Sequence, residues 1–421
     1  MSQEILLDLE CDSVPDSVWH SLNLPAESLV SLRNFLYQQQ EKLHNKAQWH
    51  FFWAKIEQKL GMPDAAMQCL HNTLAIAPNH SDALHEMGLA LVSSGQLPQA
   101  MSVFEQLVAT APDHWQGWND GGCALRAMGQ HASALHWMQQ AFAAHPTQAT
   151  LAANIALLAY ELHQYDDAQT WLDTAFALDD TNPEALHTQA MLQAGLGQHE
   201  DAYETDLLAL SVKPNYPQVR LSLALTDLTL GRWKEGFTGY EYRWVGSDKA
   251  DTQTMPTIGR PQWHGQAVYA GSRIAILPEQ GLGDHLQFAQ LIPQLFKHFY
   301  EVVWQVPNEL YRLFAHSFSQ YEELTILPVS APINNKDIDF ELPLMSLPLA
   351  LSLTPETLPQ QAGYLRADEA ATVRFQQALS QLSGLKVGLA WTGKGTLGKQ
   401  ALRLVPTELL GLLNDVPVQF V

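Results

Sequence analysis

The pattern of apolar and polar positions changes at about residue 250 of the chain. Before that point apolar residues recur at helical spacing, and small residues recur every 34 residues. Five alanines keep this step: Ala66, Ala100, Ala134, Ala168 and Ala202. Four glycines also keep it, with His163 in the missing position: Gly61, Gly95, Gly129 and Gly197. A fixed period of this length is typical of a repeat protein whose units stack side by side.

Each unit is predicted to contain two helices. The glycine ends the first helix, and the alanine lies where the two helices approach closely. Prolines close four of the units: Pro78, Pro112, Pro146 and Pro214. Large apolar residues follow the alanines by four positions and are expected to fill the space between units: Leu70, Phe104, Met138 and Leu172. In the fifth unit this position is Asp206.

This pattern resembles the tetratricopeptide repeat over about residues 47–214. The resemblance implies an α solenoid that binds a protein or peptide partner. We expect residues 1–45 to form an N-terminal helical cap and residues 46–250 to form the solenoid.

Acidic residues are concentrated in the repeats. The chain has 23 Lys and Arg against 44 Asp and Glu, a formal charge of −21, which argues against a nucleic-acid-binding protein. Between Gly61 and Val212 lie 17 acidic residues and one base, Arg126. A concave surface lined with carboxylates would attract a basic or polar peptide, with binding that weakens steeply as salt is added. The alternative is a solvated face that keeps an apolar array soluble.

Membrane insertion and metal chemistry are not indicated by the sequence. No apolar run approaches the roughly 18 residues of a membrane span. The acidic N-terminus lacks the features of an export signal, so we expect a cytoplasmic protein. The three cysteines have no C-x-x-C spacing and the 17 histidines form no H-E-x-x-H motif. We therefore expect no metal site and no cofactor.

The 34-residue phase is lost from about residue 251. Short apolar runs at residues 272–278, 301–306, 324–329 and 386–391 alternate with helical stretches. This alternation predicts parallel strands covered by helices. The expected fold class is therefore an α solenoid followed by an α/β region.

A glycine turn, Gly281-Leu282-Gly283-Asp284, connects a predicted strand to a predicted helix. A dinucleotide site is disfavoured, because the third glycine is absent and Glu279 and Asp284 are negative where a pyrophosphate would lie. An aspartate in the first turn of a helix is stabilised in its ionised form. It could act as a general base, or it could simply cap the helix.

Several runs in this half resemble a known enzyme family: PQWHGQ (261–266), AILPEQGLGDHLQFAQLIPQL (275–295), DIDFELPLMSLPLAL (337–351), GYLRAD (363–368) and LKVGLAWTGKG (385–395). They are similar to GT-B glycosyltransferases of the ADP-heptose lipopolysaccharide heptosyltransferase type and, more distantly, to the O-linked N-acetylglucosamine transferases. The resemblance implies a Rossmann-like acceptor-side domain at residues 251–380 and the beginning of a donor-side domain at residues 381–421.

The same resemblance implies inverting transfer from a nucleotide sugar without a metal, with Asp284 as the base. Residues expected to bind substrate are Glu279, Gln280, Gly281, Gly283, Gln287 and Lys394. Few strands follow residue 381, so we expect an incomplete donor domain: either the sequence is a fragment of a longer protein or the enzyme is incomplete. Two functions stay open: a glycosyltransferase presented with its partner by the solenoid, and a non-catalytic adaptor with a degenerate α/β region.

Overall fold

The computed structural model describes residues 21–38, 45–247, 254–359, 363–389, 407–413 and 418–420. The chain forms two compact units, Met1–Leu223 and Ala224–Val421. A 3-10 turn at Ser21–Asn23 precedes a series of helices: α1 (Ala26–Gln38), α2 (Ala47–Lys59), α3 (Pro63–Ile76), α4 (Ser81–Ser93), α5 (Leu97–Thr110), α6 (Trp115–Ala127), α7 (His131–Ala144), α8 (Ala149–Glu161), α9 (Tyr165–Leu178), α10 (Pro183–Gly195), α11 (His199–Val212), α12 (Pro217–Thr229), α13 (Trp233–Tyr240) and α14 (Arg243–Gly246).

The helices from α2 to α13 form pairs that repeat every 34 residues. First helices begin at every 34th residue from Ala47 to Pro217, and second helices at every 34th residue from Pro63 to Trp233. The predicted helix pair in each unit is therefore confirmed. Before the first pair, α1 buries Leu29, Leu32 and Leu36.

Each first helix ends in a residue with left-handed backbone, at the predicted glycine register. In the first unit Gly61 has φ 70°, and the Gly61 and Met62 amides donate to the carbonyl oxygens of Gln58 and Glu57. In the fourth unit His163 adopts the same conformation, with φ 61°, and the same two bonds form. Left-handed backbone at a residue other than glycine costs roughly 1–2 kcal/mol. The fourth unit therefore keeps the same turn although histidine is less suited to it than glycine.

Close approach of the two helices depends on matched side-chain sizes. The alanines of the predicted register are buried in all five units. Phe104 and Met138 are bulky, and each lies against a glycine of the first helix: a Cβ on Gly88 would overlap the Phe104 ring, and one on Gly122 would overlap Met138. The large side chains thus fill the space that the glycines, which have no side chain, leave on the first helix. This gives the dense packing typical of protein interiors.

Asp206 interrupts this packing in the fifth unit. Its side chain is fully buried, and neither carboxylate oxygen has a hydrogen-bond partner among the described residues. His187 lies opposite, with its Nδ1 atom 3.6 Å from Oδ1 of Asp206. Burial of a polar group without a hydrogen bond costs roughly 2–7 kcal/mol. The fifth unit is therefore a weak point in the stack.

Histidines cap two of the first helices. The Nδ1 atoms of His80 and His114 accept hydrogen bonds from the backbone amides of Ala83 and Gly117, at 3.3 and 3.1 Å. At the same register of the fifth unit Asn182 accepts from Ala185 at 3.0 Å. Burial lowers the pKa of both histidines below the ordinary range. The neutral ring is the form that can accept the bond, because a protonated Nδ1 is a donor.

The second compact unit, Ala224–Val421, contains a four-stranded parallel sheet with the order β3-β2-β1-β4. Its elements are β1 (Arg273–Leu277), α15 (Leu282–Phe288), a 3-10 segment (Ala289–Lys297), β2 (Glu301–Val306), α16 (Asn308–Ser317), β3 (Leu324–Pro328), a 3-10 turn (Asn335–Asp337), β4 (Phe340–Pro343), a 3-10 turn (Leu344–Ser346), α17 (Leu347–Ala350), α18 (Glu369–Leu379), β5 (Lys386–Val387), a 3-10 segment (Thr407–Leu413) and β6 (Gln419–Phe420). β5 and β6 form a separate parallel pair. The predicted change from a helical array to parallel strands with helices is confirmed.

The segment before β1 is fastened to the edge strand β4. The buried carboxylate of Glu341 accepts hydrogen bonds from the Thr257 hydroxyl and from the amides of Ile258 and Arg260, at 2.5, 2.7 and 3.2 Å. Gly265 has φ 87°, and a Cβ there would overlap the Ala350 carbonyl oxygen. Glycine is therefore required in the PQWHGQ run for a packing reason.

We expect Asp206→Leu to stabilise the solenoid by about 1–4 kcal/mol, because an apolar side chain removes a buried, unsatisfied carboxylate. Leu70 and Leu172 occupy this register in other units. Urea unfolding at pH 7, followed by circular dichroism, measures the change. The reciprocal variant Leu172→Asp serves as the matched control and should destabilise the solenoid. An unchanged or lowered midpoint for Asp206→Leu would contradict this account.

We expect the solenoid to lose stability as the pH falls below about 6.5, the ordinary histidine value. Burial lowers the folded-state pKa of His80 and His114, so the unfolded chain binds more protons than the folded chain below pH 6.5. The free energy of unfolding therefore decreases as the pH decreases. The double variant His80→Asn/His114→Asn keeps both caps and should have a shallower loss between pH 7 and pH 5. Urea midpoints at the two pH values measure this, and an undiminished acid dependence in the double variant would refute it.

Candidate functional site

The first helices of the solenoid form its inner surface. Helix α4 contacts α6, and α8 contacts α10, so first helices of neighbouring units touch one another directly. In a curved stack of repeats, elements on the inner side are closest together, and this concave side is the extended binding surface of repeat proteins.

Polar side chains link these first helices from unit to unit. Asn154 Nδ2 donates to Asn119 Oδ1 at 2.7 Å. His85 Nε2 lies 2.7 Å from Asp120 Oδ2, and Arg126 Nη2 donates to Glu161 Oε1 at 2.6 Å. The partners in each contact are 35 residues apart, one repeat and one position. These side chains are half-buried, so they form a polar row that remains accessible along the inner surface.

The acidic residues are distributed differently from the predicted carboxylate-lined surface. Five of the 17 lie on first helices: Asp82, Glu86, Asp120, Glu161 and Glu184. Each of these lies within 4.0 Å of a Lys, Arg or His nitrogen. The other acidic residues are on second helices and in loops. The inner surface therefore presents paired charges, and the unbalanced negative charge lies mostly elsewhere.

The glycine turn lies at the carboxyl end of β1, where the strand order reverses between β1 and β4. Gly281 and Gly283 are exposed, and Asp284 is half-buried. Asp284 Oδ2 accepts a hydrogen bond from the Gly281 amide at 2.9 Å. One oxygen of the predicted base therefore caps its own helix, while a carboxylate has further acceptor capacity.

Glu279 points into the protein. Its carboxylate accepts hydrogen bonds from Arg243 Nε and Nη2 at 3.0 and 3.1 Å, and from the Met345 amide at 2.5 Å. Arg243 Nη2 also donates to the Ser346 hydroxyl at 2.8 Å.

The guanidinium of Arg243 remains charged in this buried position. Burial alone lowers the pKa of Arg243, but the carboxylates of Glu279 and Glu241 outweigh burial and raise it. Glu279 thus binds a permanent guanidinium, and its contacts are structural.

Arg243 is one of two residues around the glycine turn, with His285, that the sequence motifs did not identify. It lies 36 residues before Glu279, in the aromatic run GYEYRW, and no fixed spacing connects the two. The one available signal was a lone arginine among aromatic residues. In the structure the guanidinium lies over the rings of Tyr240 and Trp244.

The remaining residues predicted to bind substrate are Gln280, Gln287 and Lys394. Gln280 has left-handed backbone, with φ 60°, and its Nε2 donates to the Tyr240 hydroxyl at 2.7 Å. Gln287 is exposed on α15. His285, which the sequence did not single out, is buried, with a pKa lowered by burial and Nδ1 bonded to the Gly281 carbonyl oxygen at 3.0 Å. Lys394 lies outside the described residues.

Metal clusters and membrane-spanning helices are absent from the described ranges. No group of three or more His, Cys, Asp or Glu side chains there is arranged to hold a metal ion. None of the helices described is both long enough and apolar enough to cross a bilayer.

Two parts of the chain, residues 58–118 and 125–192, match a family model described as tetratricopeptide repeat. Both parts lie within the helical array. Protein FlbA of Caulobacter vibrioides (strain ATCC 19089 / CIP 103742 / CB 15) is 28% identical over 197 residues, which are 43% of this chain and 32% of FlbA. The chain thus spans about a third of the length of this curated relative.

Among solved structures, TTC0263, a thermophilic tetratricopeptide repeat protein of Thermus thermophilus, is 25% identical, with a TM-score of 0.37, over 43% of this chain and 99% of that one. MamA (41-end) of Desulfovibrio magneticus RS-1 is 20% identical, with a TM-score of 0.35, over 40% and 95%. The array of helix pairs, its period of 34 residues and the family match agree: the first part of this chain is a tetratricopeptide repeat solenoid.

Proposed function

We propose that this protein is an interaction adaptor whose solenoid binds an extended segment of a partner protein along its inner surface. The observation that carries the proposal is the polar row joining the first helices, with the contact between Asn119 and Asn154 near its middle. An extended peptide offers an N–H and a C=O at every residue. Asparagine amides have two donors and an acceptor oxygen, more than these contacts use, so they can bind a peptide backbone.

The row is also held in place before a partner arrives. Asn119 Nδ2 donates to Asp120 Oδ1 at 3.0 Å, and Asp120 in turn contacts His85. Arg126 binds Glu161 through both Nε and Nη2. Side chains fixed in this way lose little conformational entropy on binding, which favours affinity.

The test uses peptides selected from a phage-displayed library of random 12-residue sequences on the intact chain. We expect Asn119→Ala/Asn154→Ala to weaken binding of the selected peptides about tenfold or more, equivalent to 1.4 kcal/mol, measured by fluorescence anisotropy. The control variant Gln139→Ala/Gln140→Ala changes exposed amides on the second helix α7 and should bind as the wild type does. Equal binding by all three proteins would exclude the inner row as the site.

A second candidate function is inverting sugar transfer from a nucleotide sugar by a Rossmann-like GT-B region, with Asp284 as general base. The supporting observation is the position of the glycine turn: open α/β sheets bind ligands outside the carboxyl ends of their strands where the strand order reverses. Gln280, Gly281, Gly283 and Gln287 would contact substrate around the turn. Lys394, which lies outside the described residues, would contact the diphosphate of the nucleotide sugar, and Glu279 would support the loop through Arg243.

The decisive variant is Asp284→Asn, because an asparagine oxygen can still accept from the Gly281 amide but cannot take a proton. If the chain transfers sugar from UDP- or ADP-sugars to a protein or glycan acceptor, we expect this variant to lose about 10²- to 10⁴-fold in rate. Equal transfer by the variant would exclude the base assignment. Calorimetric titration of the wild-type chain with the same nucleotide sugars provides the companion measurement, and absence of heat and of transfer would leave the adaptor function.

A further inference from the structure

The outward face of α11 carries an uncovered apolar patch. The exposed residues of this second helix follow one stripe, at positions 200, 201, 204, 207, 208, 211 and 212. Its C-terminal half contains Leu207, Leu208 and Val212, which are 44%, 48% and 43% exposed. We call these seven positions the outer stripe of α11. Large apolar side chains exposed side by side on one helix face are typical of an interaction site.

The repeat itself supplies a comparison for the two leucines. At the same register the other second helices carry His71-Asn72, Glu105-Gln106, Gln139-Gln140 and Asp173-Thr174. The positions are therefore polar wherever the repeat only needs to remain soluble. The buried residues of α11 are Ala202, Asp206 and Ala209, so Leu207 and Leu208 lie outside the core of the unit. Their presence calls for a partner outside the repeat.

The N-terminal half of the same stripe carries negative charge: Glu200, Asp201 and Glu204. No lysine or arginine occurs in the sequence between Arg126 and Lys213, and Lys213, directly after the C-terminal end of α11, pairs with Glu184 at 2.9 Å rather than with these residues. The neighbouring second helix α9 adds Asp166, Asp167 and Asp173. A surface with an apolar patch next to an acidic patch is complementary to a helix that has an apolar face bordered by basic residues.

We propose that the outer stripe of α11 is a second docking surface, which binds a basic amphipathic helix of a partner protein. The apolar face of that helix covers Leu207, Leu208 and Val212, and its lysines or arginines lie against Glu200, Asp201 and Glu204. Such a helix laid on an apolar surface is a recurrent mode of peptide recognition. This surface is separate from the inner polar row, so the solenoid can hold two segments at once.

The probe is a synthetic 18-residue helical peptide of leucine and lysine with one apolar face, compared with a scrambled peptide of the same composition. Fluorescence anisotropy with the intact chain should give at least tenfold tighter binding for the amphipathic peptide. Leu207→Gln/Leu208→Gln copies the third unit at this register and should weaken binding at least tenfold without lowering the unfolding midpoint. Glu200→Gln/Asp201→Asn/Glu204→Gln should weaken binding at low salt and reduce its salt dependence.

Three results would overturn the proposal. The first is equal affinity of the wild type and Leu207→Gln/Leu208→Gln for the amphipathic peptide. The second is hydrogen-exchange protection by the peptide on the first helices instead of α11, which would assign the peptide to the inner surface. The third is self-association of the wild-type chain in sedimentation that Leu207→Gln/Leu208→Gln abolishes, which would make the occupant a second copy of this chain.

Discussion

The solenoid depends on the close approach of the two helices within each unit. Small residues at the alanine register allow the helices to touch, and the bulky side chains of Phe104 and Met138 fill space that glycines leave open on the first helix. Stacking of the units at 34-residue steps places first helices of neighbouring units alongside one another, as α4 with α6 and α8 with α10. The polar row on the inner surface exists because that contact brings side chains 35 residues apart within hydrogen-bond distance.

In the second compact unit, Ala224–Val421, the buried ion pair between Arg243 and Glu279 is the central interaction. Arg243 joins the turn after α13 to the ends of β1 and β4 through Glu279 and Ser346. Two charges removed from water are stable only when each is well paired, so this arrangement fixes the chain immediately before the glycine turn. The left-handed residue Gln280 is held between that anchor and its bond to Tyr240. Whatever the turn binds, its backbone is positioned by residues from the end of the helical array.

The sequence predicted the repeat well because its determinants are local. Glycine at a helix end and alanine at a helix contact act within one unit, and their 34-residue spacing is visible without coordinates. The pairing of Arg243 with Glu279 could not be predicted, since it depends on how residues 36 apart come together in three dimensions. The charge of the repeats was compatible with an acidic inner surface and with a solvated outer face, because charge counted along the sequence does not depend on which helix carries it. In the structure most of these acidic residues lie on second helices and in loops.

Asp206 also has a consequence for how the array unfolds. In a linear array each unit is stabilised by its neighbours alone, so cooperativity extends only as far as the interfaces between units are strong. The unsatisfied carboxylate lies opposite His187, within the helix pair of the fifth unit, so it weakens the packing inside that unit. We therefore expect the fifth unit to open at a lower free energy than the units before it, so that local loss of structure in the array begins there.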